Sequence, residues 1–291
     1  MASASTDSVA QNITEVNRKF FNDQAENYST NASHQEVIRI VGDEVLRRKE
    51  WSGVAWDEDN TRLLDYACGT GLFSKVLAPY TKQLIGMDLS EGMVDIFNRS
   101  VQNQGIPSEE MRAIVADLCA DELDPVLSDP GYLDFDAVIS TFALHHFSDA
   151  PLAINRLVER LKKGTGVLLI IDFRTHDPVV LHGTRSHDQH QYSDEHQHHT
   201  HGSHADNQHQ GLEESEKTEN PVKLHSGHHT VTYNGFSDEE IKRWYGEAGL
   251  VDIDIVDVGP GTGVTTVVKD PKTEEVIKMQ RGVFMAKGRR A

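Results

Sequence analysis

The sequence predicts an α/β fold, a doubly wound parallel sheet with helices on both faces. Three observations carry that expectation. From about Thr61 to Phe173, short apolar runs of four to six residues alternate with amphipathic stretches. The apolar runs show little polar alternation, the pattern of strands buried on both faces, which parallel sheets require. A glycine-rich turn, Asp65-Tyr66-Ala67-Cys68-Gly69-Thr70-Gly71, joins the first run to a helical stretch, as a tight strand-to-helix connection does.

Taken in order, residues 1 to about 60 are polar and helical in pattern and form an N-terminal cap. VNRKFFNDQAENY predicts a short helix running into a loop. SHQEVIRIVGDEVLRRK places Val37, Ile38, Val41, Val45 and Leu46 at helical spacing, with Ser33 and Glu36 as a capping box. LLDYA, LIGMDL, AIVADL, FDAVIS and VLLIID follow as strands. Between them, LFSKVLAPY, SEGMVDIFNRSVQ and APLAINRLVERLKKG are helical, with Gly164 placed as a C-cap. Late in the chain, GFSDEEIKRWYGEAGL predicts a helix with Ser237 as N-cap, Glu240 at the third position and Gly249 at its end. VDIDIV and RGVFMAKG are strands, and TTVVKDPKTEEVIKM is a hairpin turning at Asp270-Pro271. Residues 61–291 therefore make one domain, interrupted at about 176–229.

That interruption is compositional. Of 16 histidines, 13 lie between His176 and His229, with nine acids and three bases, and residues 183–221 have almost no large apolar side chain. Such a segment cannot offset its ordering entropy and is expected to be disordered. His196, His198, His199, His201 and His204 are close enough to hold Zn²⁺ or Ni²⁺, and the tract changes charge near pH ~6.5. The plainer reading is a solvated loop, so no ordered metal site is expected. Its place after the fifth strand borders the ligand crevice of an open sheet, which leaves a protein-docking role open.

The whole chain carries 28 basic and 46 acidic residues, a formal charge of −18. This argues against a nucleic-acid partner and against docking on anionic lipid. No apolar run approaches the roughly 20 residues of a membrane span; the longest is Val167 to Ile171. The polar start lacks a signal-peptide core. Cys68 and Cys119 are the two cysteines, too few for a disulfide framework. A cytoplasmic location is expected, with the nucleus as an alternative.

The glycine-rich turn is no phosphate cradle, because Asp65 sits inside it. A carboxylate there suits a ligand with a positive end and disfavours nicotinamide dinucleotides and nucleoside triphosphates. Asp88, at a strand end 17 residues after Gly71, stands near the separation at which an acid meets ribose hydroxyls. The combination points to an aminoacyl-nucleoside.

LLDYACGTG, then LIGMDLSEGMV, IVADL and FDAVISTFALHHF, resemble the class I methyltransferases that use S-adenosylmethionine. The likeness is strongest to the type 11 and ubiquinone/menaquinone-biosynthesis branch, which has fungal members. It covers about residues 15–173 and resumes at 230–288. It implies a Rossmann-like, mostly parallel sheet with an antiparallel last strand. It also implies S-adenosyl-L-methionine as cofactor and S-adenosyl-L-homocysteine as product. Asp65 would sit near the methionine amino group, with Ala67, Gly69 and Gly71 in the turn that approaches it. Asp88 would bind the ribose, with Leu89 and Met93 against adenine. Asp117 would meet the adenine amino group beside Leu118, while Ser140 and Thr141 line the methionine end. Tyr28 matches a tyrosine that closes over the cofactor. Ala67 departs from the more usual glycine.

Methyl transfer to a hydroxyl or acidic carbon needs a proton acceptor. His145 and His146 follow the fourth strand, where the resemblance puts the substrate mouth, and either is a candidate base. Phe21, Tyr28, Phe142, His145 and His146 are the expected pocket walls. No DPPY or NPPY follows that strand, which disfavours amide or exocyclic-amine methylation, and the acidic pair of arginine methyltransferases is not recognisable. The leading expectation is O- or C-methylation of a small organic acceptor. The alternative is a protein-directed subunit of a regulatory, nuclear complex; a non-catalytic cofactor- or metal-binding scaffold is the third.

Overall fold

The structure, a computed structural model, describes residues 3–175, 179–181, 230–258, 264–269 and 276–291. Its helices are α1 (Ser3–Tyr28), α2 (Ala32–Arg47), α3 (Lys49–Ser52), α4 (Ser74–Leu77), α5 (Glu91–Asn103), α6 (Ala150–Glu159) and α7 (Asp238–Glu247). Its strands are β1 (Asp57–Tyr66), β2 (Thr81–Asp88), β3 (Met111–Val115), β4 (Ala137–Thr141), β5 (Val167–Phe173), β6 (Val179–Leu181), β7 (Leu250–Val258), β8 (Val264–Lys269), β9 (Val276–Arg281) and β10 (Val283–Arg290).

Seven strands form the main sheet in the order β3-β2-β1-β4-β5-β10-β7. The first five pair in parallel, and β10 runs antiparallel between β5 and β7. The expected sheet, mostly parallel with an antiparallel last strand, is therefore present. Strand periodicity divides its side chains between two cores. Leu64, Ile85, Val138, Leu168 and Ile170 pack with Ile154 and Leu157 of α6 and Ile241 and Tyr245 of α7. Their neighbours Leu63, Leu84, Ile139, Leu169 and Ile171 pack with Val41 and Val45 of α2 and Phe97 and Val101 of α5. All seven residues of β5 are buried, whereas the edge strand β7 buries only its two ends. This is the difference between a strand covered on both faces and one at a margin. β6, β9 and β8 form a second, antiparallel sheet.

Several local expectations change. The N-terminal segment is no short helix: α1 runs for 26 residues. The cap of α2 is Asn31, whose side-chain oxygen accepts from the Ser33 and His34 N–H groups, so Ser33 lies inside the helix. Helix α6 ends at Arg160, well before Gly164. The chain beyond it pairs with the segment that leads into β4, Phe135 N–H donating to Arg160 O and Lys162 N–H to Phe135 O, which draws the backbone out of the helix. Gly164 instead takes φ +83° in the turn before β5. The Ser237–Glu240 capping box forms as expected, and Gly249 follows α7 at φ +79°. β8 and β9 pair antiparallel from Val264↔Arg281 to Lys269↔Val276, but the turn at Asp270-Pro271 lies outside the described residues. So does the histidine-rich stretch, except that β6 falls within the 176–229 range assigned to it.

Candidate active site

Parallel pairing brings the carboxyl ends of β1, β2, β3 and β4 to one edge of the sheet. Tyr66 pairs with Met87, Asp88 with Val115, and Thr141 with Ile171. Across that edge lies α1, fastened to the start of α5. Asn22 accepts from the Ser90 hydroxyl at 2.6 Å and from Gly92 N–H at 2.8 Å, and donates to Glu91 at 2.9 Å. Arg18 adds an ion pair to Glu91 at 3.1 Å. Thr14, Asn17, Phe21 and Tyr28, spaced to share one helix face, wall a cleft of about 850 Å³ that is partly open to solvent.

At one end of the cleft, Asp88 is fixed by the turn it faces. Its two carboxylate oxygens accept from Gly69 N–H at 2.8 Å and Ser90 N–H at 2.9 Å. Each oxygen keeps a further lone pair, and the group lines the cleft while remaining only 8% exposed. Burial raises its pKa, and the backbone donors oppose that rise. The turn needs unusual backbone: Ala67, Gly69 and Gly71 have φ of +58°, +53° and +78°. Only Ala67 and Gly69 reach the cleft. A Cβ on Gly71 would fall 2.6 Å from the Phe97 ring, so this glycine lets α5 close on the sheet. Leu89 and Met93 border Asp88, and Asp117 lines the next wall. Leu118 is wholly buried behind it, its N–H held at 3.0 Å by the Tyr66 hydroxyl.

Asp65 is 2% exposed and does not line the cleft. It accepts a short hydrogen bond from the Ser74 hydroxyl at the start of α4. Burial raises its pKa to about 7, the Ser74 bond opposes this, and the Asp88 charge adds to it. Ser140 is likewise behind the wall, whereas Thr141 lines it; both hydroxyls are buried with no partner among the described residues.

The two histidines separate. They occupy a 3-10 turn, Leu144–His146, after β4. His145 is 6% exposed, and its Nδ1 lies 2.7 Å from a carboxylate oxygen of Asp172, which is fully buried on β5. The other Asp172 oxygen accepts the His145 backbone N–H at 3.2 Å. His145 thus anchors the turn and does not line the cleft. His146 does line it. Its Nδ1 is 2.8 Å from Thr230 O; a carbonyl only accepts, so Nδ1 carries the proton and Nε2 keeps its lone pair. Burial, then the neighbouring His145, lower its pKa to about 3.

The structure thus gathers Tyr28, Ala67, Gly69, Asp88, Leu89, Met93, Asp117, Thr141 and His146 around one cleft, together with Phe21 and Phe142. Asp65, Gly71, Leu118, Ser140 and His145 support it from behind. The sequence reading missed Asn17, Tyr66, Cys119 and Phe147, which also line it. Tyr66 stood inside the quoted turn, and Asn17 sits four residues before Phe21; helical spacing was the available signal.

Residues 64–170 match the family described as "Methyltransferase domain". An uncharacterised methyltransferase of Schizosaccharomyces pombe is 40% identical over 117 residues, 40% of each chain. Demethylmenaquinone methyltransferase of Bacteroides fragilis is 32% identical over 121 residues, 40% of this chain and 44% of its own. The chain thus spans about two fifths of the length of these curated relatives. The crystal structure of a SAM-dependent methyltransferase from Anabaena variabilis superposes with a TM-score of 0.57 at 15% identity, covering 96% of this chain and 95% of that one. Residues 64–170 thus match the methyltransferase domain family, and the chain around them shares the class I fold of the Anabaena variabilis structure.

Proposed function

We propose that this protein binds S-adenosyl-L-methionine in the cleft and methylates a small organic acceptor there. The observation that carries the reading is Asp88. It is a buried carboxylate pinned by two backbone donors, with acceptor capacity left over at a cleft wall. A ribose diol satisfies that capacity. Among the described residues no lysine or arginine lines the cleft, so a diphosphate finds no counter-charge from them, while an amino acid with a sulfonium and an ammonium does not need one. The unpartnered Thr141 hydroxyl offers a further contact.

Asp88 would hold the ribose, Leu89 and Met93 the faces of the adenine, and Asp117 its amino group, with Tyr28 and α1 above. Helices α1 to α3 are the cap of this reading. When bound, the cofactor supplies an electrophilic methyl carbon, and the reaction is an in-line displacement governed by positioning. His146 faces the cleft as a neutral imidazole with Nε2 free to accept. Full proton transfer to it from an ordinary phenol of pKa ~10 would be uphill by about 7 units, roughly 9–10 kcal/mol. His146 therefore orients and polarises the acceptor's O–H or C–H rather than deprotonating it in advance. His145, tied to Asp172, holds the turn.

The test is a search of cell extract for products labelled from methyl-tritiated S-adenosylmethionine. The purified protein should label a low-molecular-weight product, and Asp88→Ala should lower the yield at limiting cofactor. Label found only in protein, or none above background, would overturn the reading.

A further inference from the structure

We infer that Asn17, on α1, is a substrate-orienting residue. With His146 it presents a pair of hydrogen-bond acceptors to an uncharged acceptor molecule that carries an O–H or N–H group. This rests on the methyltransferase reading and narrows the substrate class within the same cleft.

Asn17 is 7% exposed, unusual burial for an amide on a capping helix. Its Nδ2 donates to the backbone oxygen of His146 at 2.8 Å. That oxygen only accepts, so the amide orientation is fixed and Oδ1 is the other atom. Oδ1 is buried and has no partner among the described residues, although Asn17 lines the cleft. A buried amide oxygen left unpaired is rare, because water has been removed and nothing has replaced it. The tether to His146 uses only Nδ2, so a purely structural role leaves Oδ1 unexplained.

The imidazole of His146 is the second acceptor. With Nδ1–H committed to Thr230 O and a pKa lowered to about 3, Nε2 stays unprotonated at neutral pH. The groups that face this ring are His145, stacked at 4.1 Å between centroids and paired with Asp172, and Phe21, edge-on at 5.2 Å. Arg281, whose charge acts on His146 and is acted on by Asp172, lies 3.9 Å over the Phe173 ring and does not line the cleft. Among the described residues the cleft offers acceptors, aromatic walls and the carboxylates of Asp88 and Asp117, but no lysine or arginine. A carboxylate or phosphate acceptor would be desolvated there without a counter-ion from these side chains. A neutral, largely apolar molecule with one donor group fits.

The test uses 2-naphthol, 2-methoxynaphthalene and 2-naphthoate as probes, titrated into the full chain at saturating S-adenosylhomocysteine. The three share a ring system and differ in offering a donor, an acceptor only, or a charge. 2-Naphthol should bind at least tenfold more tightly than the other two. Asn17→Leu should reduce 2-naphthol to the level of 2-methoxynaphthalene, leave the latter unchanged, and keep S-adenosylhomocysteine affinity within twofold. If Asn17→Leu does not fold, Asn17→Ser is read the same way. Equal or tighter binding of 2-naphthoate, no preference for 2-naphthol, or an equal loss of all probes in the variant overturns the assignment. Failure of S-adenosylhomocysteine to bind contradicts the methyltransferase reading alone. The probe ranking on ligand-free protein then still decides on Asn17.

Discussion

Ala67 shows how a single backbone angle separates a tolerated residue from a preferred one. At φ +58° an L-residue pays about 1–2 kcal/mol that glycine avoids, against roughly 0.5–1 kcal/mol of extra unfolded-state entropy for glycine. Ala67→Gly should therefore stabilise the fold by up to about 1 kcal/mol, read as a higher urea midpoint with unchanged slope; a lower midpoint would contradict the strain argument. Asp65 makes a pH prediction. Its folded pKa of about 7 stands above the ordinary carboxylate value of 3.8, so the unfolded state releases its proton first. The stability this group contributes is full below pH about 4 and is lost as pH rises to about 7, on the order of 4 kcal/mol at most. Asp65→Asn should flatten that decline between pH 4 and 7. Most residues at the Asp88 end of the cleft were legible because glycines and strand-end acids are tied to a turn of fixed geometry. Asp65 was legible as a residue, but sequence does not reveal that the Ser74 hydroxyl takes it up from behind. His145 and His146 were indistinguishable in sequence; only the partners Asp172 and Thr230, far away along the chain, tell them apart.

Among the elements, the 3-10 turn after β4 and the helix α1 set the shape of the cleft. The turn hangs on Asp172, which accepts from the His145 side chain, the His145 N–H and the Phe173 N–H. Removing that carboxylate leaves buried donors unpaired, so Asp172→Ala should cost about 3–5 kcal/mol in chemical denaturation; a loss under 1 kcal/mol would show that the turn has another anchor. α1 hangs on Asn22, whose amide makes three bonds to the start of α5. Asn22→Ala should speed amide exchange along residues 13–28 while leaving β4 and β5 protected. Equal acceleration in the sheet would show that the cap is not a separate unit. The strands were legible from uninterrupted apolar runs. The length of α1 was not, because its first half carries no apolar stripe. The capping box read at Ser33 and Glu36 gives way to Asn31, whose extended backbone makes it the N-cap.

For the molecule as a whole, the alternation of runs predicted the doubly wound sheet, while the antiparallel last strand came only from family likeness, and its place between β5 and β7 comes from the structure. No helix among the described residues is long and apolar enough to cross a membrane. The charge of −18 divides unequally: nine acids and three bases in residues 176–229 contribute −6. Residues 183–221 have almost no large apolar side chains to bury, so deleting residues 183–224 should leave the melting temperature and cofactor affinity unchanged. A drop in either would make the segment part of the folded unit. The central claim is that Asp88 holds a nucleoside in the cleft, and calorimetric titration with S-adenosylhomocysteine tests it most directly. The wild-type chain should bind one equivalent, and Asp88→Ala should weaken binding by about 1–3 kcal/mol, about 5- to 150-fold, through lost hydrogen bonds. No binding by the wild type, or equal affinity in Asp88→Ala, would contradict it.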